Sequence, residues 1–351
     1  METINPKFLH NVWYVAGFAD DLAPGQHVGR KFLNRSVVLY RTQTGALGAL
    51  EDRCCHRAMP LSAGQVAGEA IRCCYHGLEY DASGACVRIP GQDRVPSQAF
   101  VRAYPLVERD KVLWIWMGEA AEADPARIPS HPWHTDPAWG WQGAHFPVKG
   151  NWQLLVENLM DLSHLGYVHP TTIGGDAHMH FRTKTEAVRD GDKVRVTRHM
   201  PSSTAPRTYV DVMGFTGPID RWQEIEFEPV VIRIHTGACD AGTGAYEGKR
   251  EHGFSMLGFH GITPETETTT HYFWSIATNV GLDRGIPQLV FDQTAYTFRE
   301  DQAVLEAQQR RIDETPGGKF VDILSDAGSS QTKRLLRGLY EAEEKSIQAA
   351  E

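Results

Sequence analysis

Two short stretches hold the side chains best suited to redox chemistry. Cys54-Cys55-His56 is followed, after sixteen residues, by Cys73-Cys74-Tyr75-His76. A Cys-x-His paired with a Cys-x-x-His offers two thiolates and two imidazoles, which suit a tetrahedral zinc or a [2Fe-2S] cluster with histidines on one of its irons. Each half supplies one sulfur and one imidazole, so the cysteines can hold an inner iron while the histidines converge on an outer one. A structural zinc finger instead keeps its cysteines in one half and its histidines in the other, usually on a helix. The mixed halves favour the cluster over zinc and over unrelated core cysteines.

A second group lies in Trp152 to Gly166 (WQLLVENLMDLSHLG), where Leu155, Leu159 and Leu162 at helical spacing predict a buried helix. Asn158, Asp161 and His164 recur on it every three residues, followed by His169 and the helix-ending Pro170. One reading is a solvated face with a satisfied histidine. The other is a metal site, because two neutral imidazoles five residues apart at a helix end can take adjacent positions on one ion. A carboxylate added to them makes the facial triad of non-haem Fe(II) oxygenases, with open positions for O2. His-x4-His signals little by itself. A third group is Val231-Ile232-Arg233-Ile234-His235, whose isoleucines share one strand face and whose Arg233 and His235 share the other. If the polar face lines a pocket, a cation and a polar ring are placed to orient an anionic substrate; an ordinary solvent face is the alternative, and the favoured one for Arg233.

Short strands must position the first group. Asn11 to Phe18 reads as a strand, as do Ser36 to Arg41 and Ala46 to Glu51 about a Thr-Gly turn, then Ala70 to Cys73, Gly84 to Ile89 and Val112 to Met117. The metal-binding loops are thereby expected at hairpin tips. Pro125, Pro129 and Pro132 mark a linker, so the predicted domains are 1–118, all-β, and 138–351, joined by 119–137. The second domain reads as helices flanking an antiparallel sheet, which makes the chain α+β. Lys193 to Met200, Arg221 to Phe227, Val230 to Thr236 and His271 to Ile276 alternate as strands. Asp292 to Gln309 is predicted helical with Tyr296, Phe298, Val304 and Leu305 available for burial, and a last amphipathic helix carries Leu335, Leu336, Leu339 and Tyr340.

Bulk properties narrow the class. With 351 residues, 41% hydrophobic and 23% charged, the chain is an ordinary globular protein of two-domain length. A net charge of −9 argues against a nucleic-acid-binding surface. No apolar run reaches the eighteen or so residues that a bilayer requires, and the N-terminus lacks a signal-peptide core. A cytoplasmic, non-membrane enzyme is expected. Four of six cysteines fall inside one metal motif, which does not describe a disulfide framework. A Cys55–Cys74 bridge is accordingly the less favoured reading.

The segment Cys54 to His76 resembles the N-terminal domain of Rieske non-haem iron oxygenases. Many members have proline where this chain has Cys55 and Cys74; the resemblance makes Cys54, His56, Cys73 and His76 the cluster ligands and leaves Cys55 and Cys74 to pack around them. Asn158-Leu-Met-Asp161-Leu-Ser-His164-Leu-Gly-Tyr-Val-His169 resembles the family's mononuclear-iron segment. That likeness implies His164 and His169 as iron ligands, Asp161 as a bridge to the Rieske histidine of a neighbouring subunit, and Asn158 as a residue lining the site. Glu300-Asp301 followed by Glu306-Ala-Gln308 resembles the segment that supplies the third ligand, with Asp301 as the matching carboxylate and Glu300 as the neighbouring alternative. His260 resembles a pocket-lining position.

Asn11-Val-Trp13-Tyr-Val-Ala16, Tyr75-His76-Gly77-Leu78-Glu79, Pro90-Gly91-Gln92, Val107-Glu108-Arg109 and His169-Pro170-Thr171-Thr172 extend the likeness over nearly the whole chain. They point to the vanillate O-demethylase and toluenesulfonate methyl-monooxygenase branch. The resemblance implies an O2-dependent monooxygenase that oxidises a methoxy or methyl group of a small aromatic acid. A methoxy substrate would give a hemiacetal that collapses to phenol and formaldehyde; a methyl group would give an alcohol. It also implies a head-to-tail homotrimer with electron transfer across the subunit interface. The chain has no Gly-x-Gly-x-x-Gly after a strand and no second ferredoxin-like cysteine set, so NAD(P)H electrons must arrive through a separate flavin or ferredoxin-type reductase. Other classes compatible with the first motif are a Rieske electron carrier and a zinc-stabilised binding module.

Overall fold

The protein is described by a computed structural model covering residues 8–350. The chain divides into two compact units: His10–Ser130 with Thr263–Glu267, and His131–Ile262 with the residues from Thr268 onward. No helix of the described residues is long and apolar enough to cross a membrane.

The first unit is built from three small antiparallel sheets. Trp13–Phe18 pairs with Val112–Trp116, and that strand with Leu106–Arg109. All six residues of Trp13–Phe18 are buried, which explains the near-continuous apolar run in its sequence. His27–Phe32, Arg35–Arg41 and Leu47–Glu51 form a meander, whose first turn puts Leu33 and Asn34 at φ 51° and 65°. Two successive residues with positive φ match the right-handed twist of the flanking strands. The third sheet holds Gln65–Ala67, Ala70–Arg72, Glu79–Tyr80 and Cys86–Arg88. Its core joins Val38, Tyr40, Leu50, Ile71 and Tyr80 to the side chains of Cys54 and Cys73.

The loop Cys73–Leu78 closes a hairpin, as the pairing of Arg72 with Glu79 shows. The loop from Cys54 does not: it leads from Leu47–Glu51 of one sheet to Gln65–Ala67 of another. Only one of the two loops thus sits at a hairpin tip, because the sulfur-bearing positions belong to strands of different sheets that pack on a shared core.

In the second unit a seven-stranded antiparallel sheet runs in the order Gly140–Val148, Thr269–Thr278, Phe254–Thr266, Val231–Asp240, Ile219–Glu228, Lys193–Ser203, Thr185–Asp190. The longest helices beside it are Trp152–Met160, Ile286–Glu314 and Ala327–Ala350. Trp152, Leu154, Leu155, Val156, Leu159 and Met160 are all buried, each large side chain contributing about 1.5–3 kcal/mol by leaving water. Leu335, Leu336 and Tyr340 are buried on the last helix.

The long helix buries only part of the set that its sequence suggests, Leu305 fully and Phe298 in part. Val290, Thr294, Thr297, Asp301 and Leu305 form the buried stripe, whereas Tyr296 and Val304 are 55% and 45% exposed. Asp301 is therefore in phase with the core.

Trp152–Gly166 is not one helix. The first segment stops at Met160, and Asp161 takes an extended conformation (φ −131°, ψ 101°). Its carboxylate accepts the Ser163 N–H at 2.8 Å and the Ser163 hydroxyl at 3.0 Å. It thereby caps a fresh turn, Leu162–His164, that runs into Leu165–Val168. An aspartate able to satisfy its own downstream N–H competes with helix continuation. Asn158, Asp161 and His164 consequently do not share one helical face.

Candidate metal centres and the adjoining pocket

The Cys54 and Cys73 loops have the same backbone construction. Cys54 N–H donates to Met59 O at 2.8 Å and Ala58 N–H to Cys54 O at 3.0 Å; Cys73 N–H donates to Leu78 O at 2.8 Å and Gly77 N–H to Cys73 O at 3.1 Å. The fifth residue of each turn, Ala58 or Gly77, has positive φ (55° and 74°). This repeated turn sends the cysteines inward and the histidines outward: Cys54 and Cys73 are 2% and 1% exposed, while His56 and His76 lie at the surface with ring centroids 4.5 Å apart. Burial pushes the Cys73 thiol up, opposed by the backbone N–H groups of Tyr75 and His76 directed at its sulfur. A bound cation would reverse that shift by stabilising the thiolate. Buried thiols behind exposed imidazoles fit a cluster with sulfur on its inner iron and nitrogen on its outer one.

Cys55 and Cys74 are both exposed, and all six cysteines are free. The Tyr80 hydroxyl oxygen accepts the Cys55 N–H at 3.3 Å and lies 3.2 Å from the sulfurs of both Cys54 and Cys55.

In the second unit, one ligand atom from each of His164, His169 and Asp301 lies within 4.8 Å of the others. Asp301 Oδ1 is 3.4 Å from His164 Nε2 and 3.1 Å from His169 Nε2. The opposite ring nitrogens are occupied by acceptors. His164 Nδ1 is 2.7 Å from the backbone oxygen of Asp161, and His169 Nδ1 is 2.8 Å from Glu300 Oε2. Protons on both Nδ1 atoms leave two Nε2 lone pairs and a carboxylate oxygen converging on one point, an arrangement that a cation stabilises. Burial alone would raise the Asp301 carboxyl, but when no cation lies between them, protonated Nε2 groups of His164 and His169 outweigh it and hold the group well below the usual carboxylate range; a bound cation would take the place of those protons. Asn158 Nδ2 donates to Asp301 Oδ1 at 3.1 Å. The donor set suits iron.

Asp161 thus reaches His164 through its backbone carbonyl, its carboxylate being held by Ser163. Asp301, not Glu300, joins the two imidazoles, and Glu300 stands behind His169.

A cavity of about 60 Å³ adjoins this site, with His164 and Asp301 in its wall. Leu162, Ile234, Met256, Ile276 and Phe298 make it largely apolar. His260 lines it too, its Nδ1 2.7 Å from the Tyr272 hydroxyl. Burial pushes the His260 imidazole down to about 3, despite the opposing charge of Asp301, so the ring is neutral there. Arg233 and His235 do not line it. Arg233 pairs with Glu226 and Glu228, and His235 Nδ1 lies 3.4 Å from Glu224, about a separate hollow. The side of the strand that carries Ile234 and Thr236 contributes to the wall instead.

Two polar wall residues, Arg221 and Gln223, escape the sequence reading. The signal for them was phase: both alternate with Ile225 and Phe227, so they share the apolar, buried side of their strand.

Comparison with known proteins bears on both halves of the chain. Residues 12–105 match the Rieske [2Fe-2S] domain and residues 148–342 the vanillate O-demethylase oxygenase C-terminal domain. The chain is 42% identical over 339 residues to a putative toluene-4-sulfonate monooxygenase system iron-sulfur subunit of Comamonas testosteroni, covering 95% of this chain and 98% of that one. It is 33% identical to a vanillate O-demethylase oxygenase subunit of a Pseudomonas species, with 98% of each covered. Crystalline dicamba monooxygenase bound to dicamba superposes with a TM-score of 0.89 at 32% identity, covering 96% of this chain and 99% of that one. With both domain types present in order and likeness sustained over almost the full length, the chain belongs to the Rieske oxygenases, as the oxygenase component of a monooxygenase.

Proposed function

We propose that the protein oxidises a methoxy or methyl substituent of a small aromatic acid, O-demethylation with release of formaldehyde being the main reading and methyl hydroxylation to an alcohol the second. In this reading residues 1–118 carry the cluster on Cys54, His56, Cys73 and His76, residues 119–137 connect, and residues 138–351 carry catalysis. His164, His169 and Asp301 hold a mononuclear Fe(II), which when bound supplies O2 activation. Asn158 and Glu300 orient these ligands, and the apolar pocket beside them receives the ring. The relatives' system components imply a separate reductase; NAD(P)H is the proposed electron source, the cytoplasm the proposed compartment and a head-to-tail homotrimer the proposed assembly.

The observation that carries this reading is the convergence of His164 Nε2, His169 Nε2 and Asp301 Oδ1 at the wall of an apolar cavity. A Rieske electron carrier would have no use for it. Anaerobic metal and sulfide analysis tests the assignment: about three irons and two sulfides per chain are expected. Turnover with a reductase is then scored on methoxybenzoates for formaldehyde and on toluenesulfonates for alcohol. Two irons after Fe(II) reconstitution and no product from any of these substrates would leave only electron transfer.

Two substitutions probe the residues behind the ligands. Asn also caps helices well, so Asp161→Asn should preserve the turn at Ser163 and both metals. Its expected loss of turnover, more than about tenfold, reports the missing charge between centres of neighbouring subunits; full activity with bound iron excludes that role. Glu300→Gln should weaken Fe(II) binding by about 10- to 100-fold, because a carboxylate behind a ligand imidazole fixes its tautomer and raises its basicity. Equilibrium dialysis of Fe(II) measures it, and unchanged affinity would remove Glu300 from the site.

A further inference from the structure

Adjacent strands place two arginines on one buried face. Arg198 alternates in phase with Val194, Val196 and Met200, and Arg221 with Gln223, Ile225 and Phe227. Register sets Arg198 opposite Gln223 and Met200 opposite Arg221. Both residues are 1% exposed. Among the described residues neither has a carboxylate oxygen within 4.0 Å. Arg198 Nη1 donates to Gln223 Oε1 at 2.7 Å and its Nη2 to His180 O at 2.6 Å. Arg221 Nη2 donates to Ile173 O at 2.9 Å, its Nη1 makes a long contact of 3.4 Å to Gly174 O, and its guanidinium lies over the Tyr209 ring at 5.1 Å. The Nε–H of each has no partner.

Carbonyl oxygens satisfy donors, but they do not neutralise a charge. A buried cation without a counterion is costly, and a site that retains two is poised for an anion. The nearby His180 adds no negative charge, an imidazole being neutral or cationic, and its Nε2 lies 2.6 Å from Gly174 O. The Asp161 carboxylate acts on Arg198 from beyond ion-pair distance and offsets part of its charge, which leaves Arg221 as the cation without an acid beside it.

Of this group, Arg221 and Gln223 line the cavity that also holds His164 and Asp301. Gln223 has its carbonyl committed to Arg198 and so has amide N–H groups left to offer. The hydroxyls of Tyr209 and Thr236 are engaged with each other at 2.6 Å, and Thr236 donates onward to Trp222 O at 3.0 Å. An anionic group entering this cavity therefore finds one unneutralised cation in its wall.

We propose that Arg221, supported by Gln223 and by the second charge of Arg198, is the subsite that binds the carboxylate or sulfonate of the aromatic substrate. This rests on the function proposed above and adds the residue that selects for an acid. Held there, the ring lies among the apolar walls and its remaining substituent is left for the end of the cavity formed by His164 and Asp301.

The test is calorimetric titration of the anaerobic holoenzyme with 4-toluenesulfonate and 4-methoxybenzoate, and with their uncharged counterparts 4-toluenesulfonamide and 4-methoxybenzamide. Wild type should bind at least one acid well above its amide, and the tighter acid identifies the oxyanion. R221Q should lose about 30-fold or more in affinity for that acid and change little toward the amides, and R221K should retain part of the preference. A merely structural arginine would move acid and amide affinities together. Equal binding of acid and amide by wild type, or an undiminished acid preference in R221Q, overturns the proposal; if R221Q does not fold, an undiminished preference in R221K does so. Iron, sulfide and product formation measured on the same wild-type preparation separate the two claims. Acid selectivity without oxygenation would keep the subsite and remove the enzyme reading, and oxygenation of acids without selectivity would do the reverse.

Discussion

Replacing Asp301 with alanine is expected to give a protein that keeps its cluster and sulfide, lacks the third iron, and has lost more than about 99% of its turnover. Changing a residue behind a metal ligand already costs about 10- to 100-fold, and Asp301 is in direct reach of both imidazoles. Among the described residues, its carboxylate is the one acid whose oxygen sits with both Nε2 atoms. Without it, two neutral rings remain to hold a divalent ion, and the Asn158 amide loses its acceptor. Iron analysis, reduced-state EPR of the cluster and product formation on one sample check all three parts. Wild-type iron content in Asp301→Ala would transfer the carboxylate role to Glu300.

Cys73→Ser should abolish the cluster and all turnover while leaving the sheets of the first unit folded. The Cys73 side chain is 1% exposed among Tyr80, Ile71 and Leu78, and a hydroxyl is a poor substitute for thiolate on an iron–sulfur centre. The turn around it is closed by backbone bonds to Leu78 and from Gly77, which a serine leaves intact. Loss of the red-brown absorbance with near-wild-type far-UV circular dichroism is the expected pair of results. Cys74→Ser, at an exposed position, should keep the colour. A coloured Cys73→Ser or a colourless Cys74→Ser would reverse the assignment of the two thiols.

The proposed cluster ligands were visible as two short runs of residue types with little other reason to occur together, whereas His164, His169 and the distant Asp301 came together through the resemblance and not through spacing. It was less informative where a site depends on which face of an element is covered. Alternation in Val231 to His235 separates Arg233 from Ile234, but says nothing about which side meets the cavity; the structure gives it the Ile234 side. On Ile286–Glu314 apolar character alone does not mark the buried stripe, because Tyr296 and Val304 face solvent while Thr294, Thr297 and Asp301 are covered. The break at Asp161 was hidden because leucines at helical spacing continue across it, while the capping bond that ends the helix is local to Asp161 and Ser163. Arg198 and Arg221 were legible in principle, as charges in step with apolar neighbours. A polar residue on such a face is easily taken for surface until the neighbouring strand is known.

The size of the cavity has a kinetic meaning. About 60 Å³ is well short of the ~150 Å³ void known to admit benzene. A ring can enter only as wall side chains swing aside, and the unbranched Met256 is the one built to do so most readily. Encounter and occupancy then become separate events. Association should fall below the ~10⁵–10⁷ M⁻¹s⁻¹ of partners that dock without rearrangement, and release should be slowed by the same gate. A substrate once seated would stay long enough for two electrons to arrive one at a time.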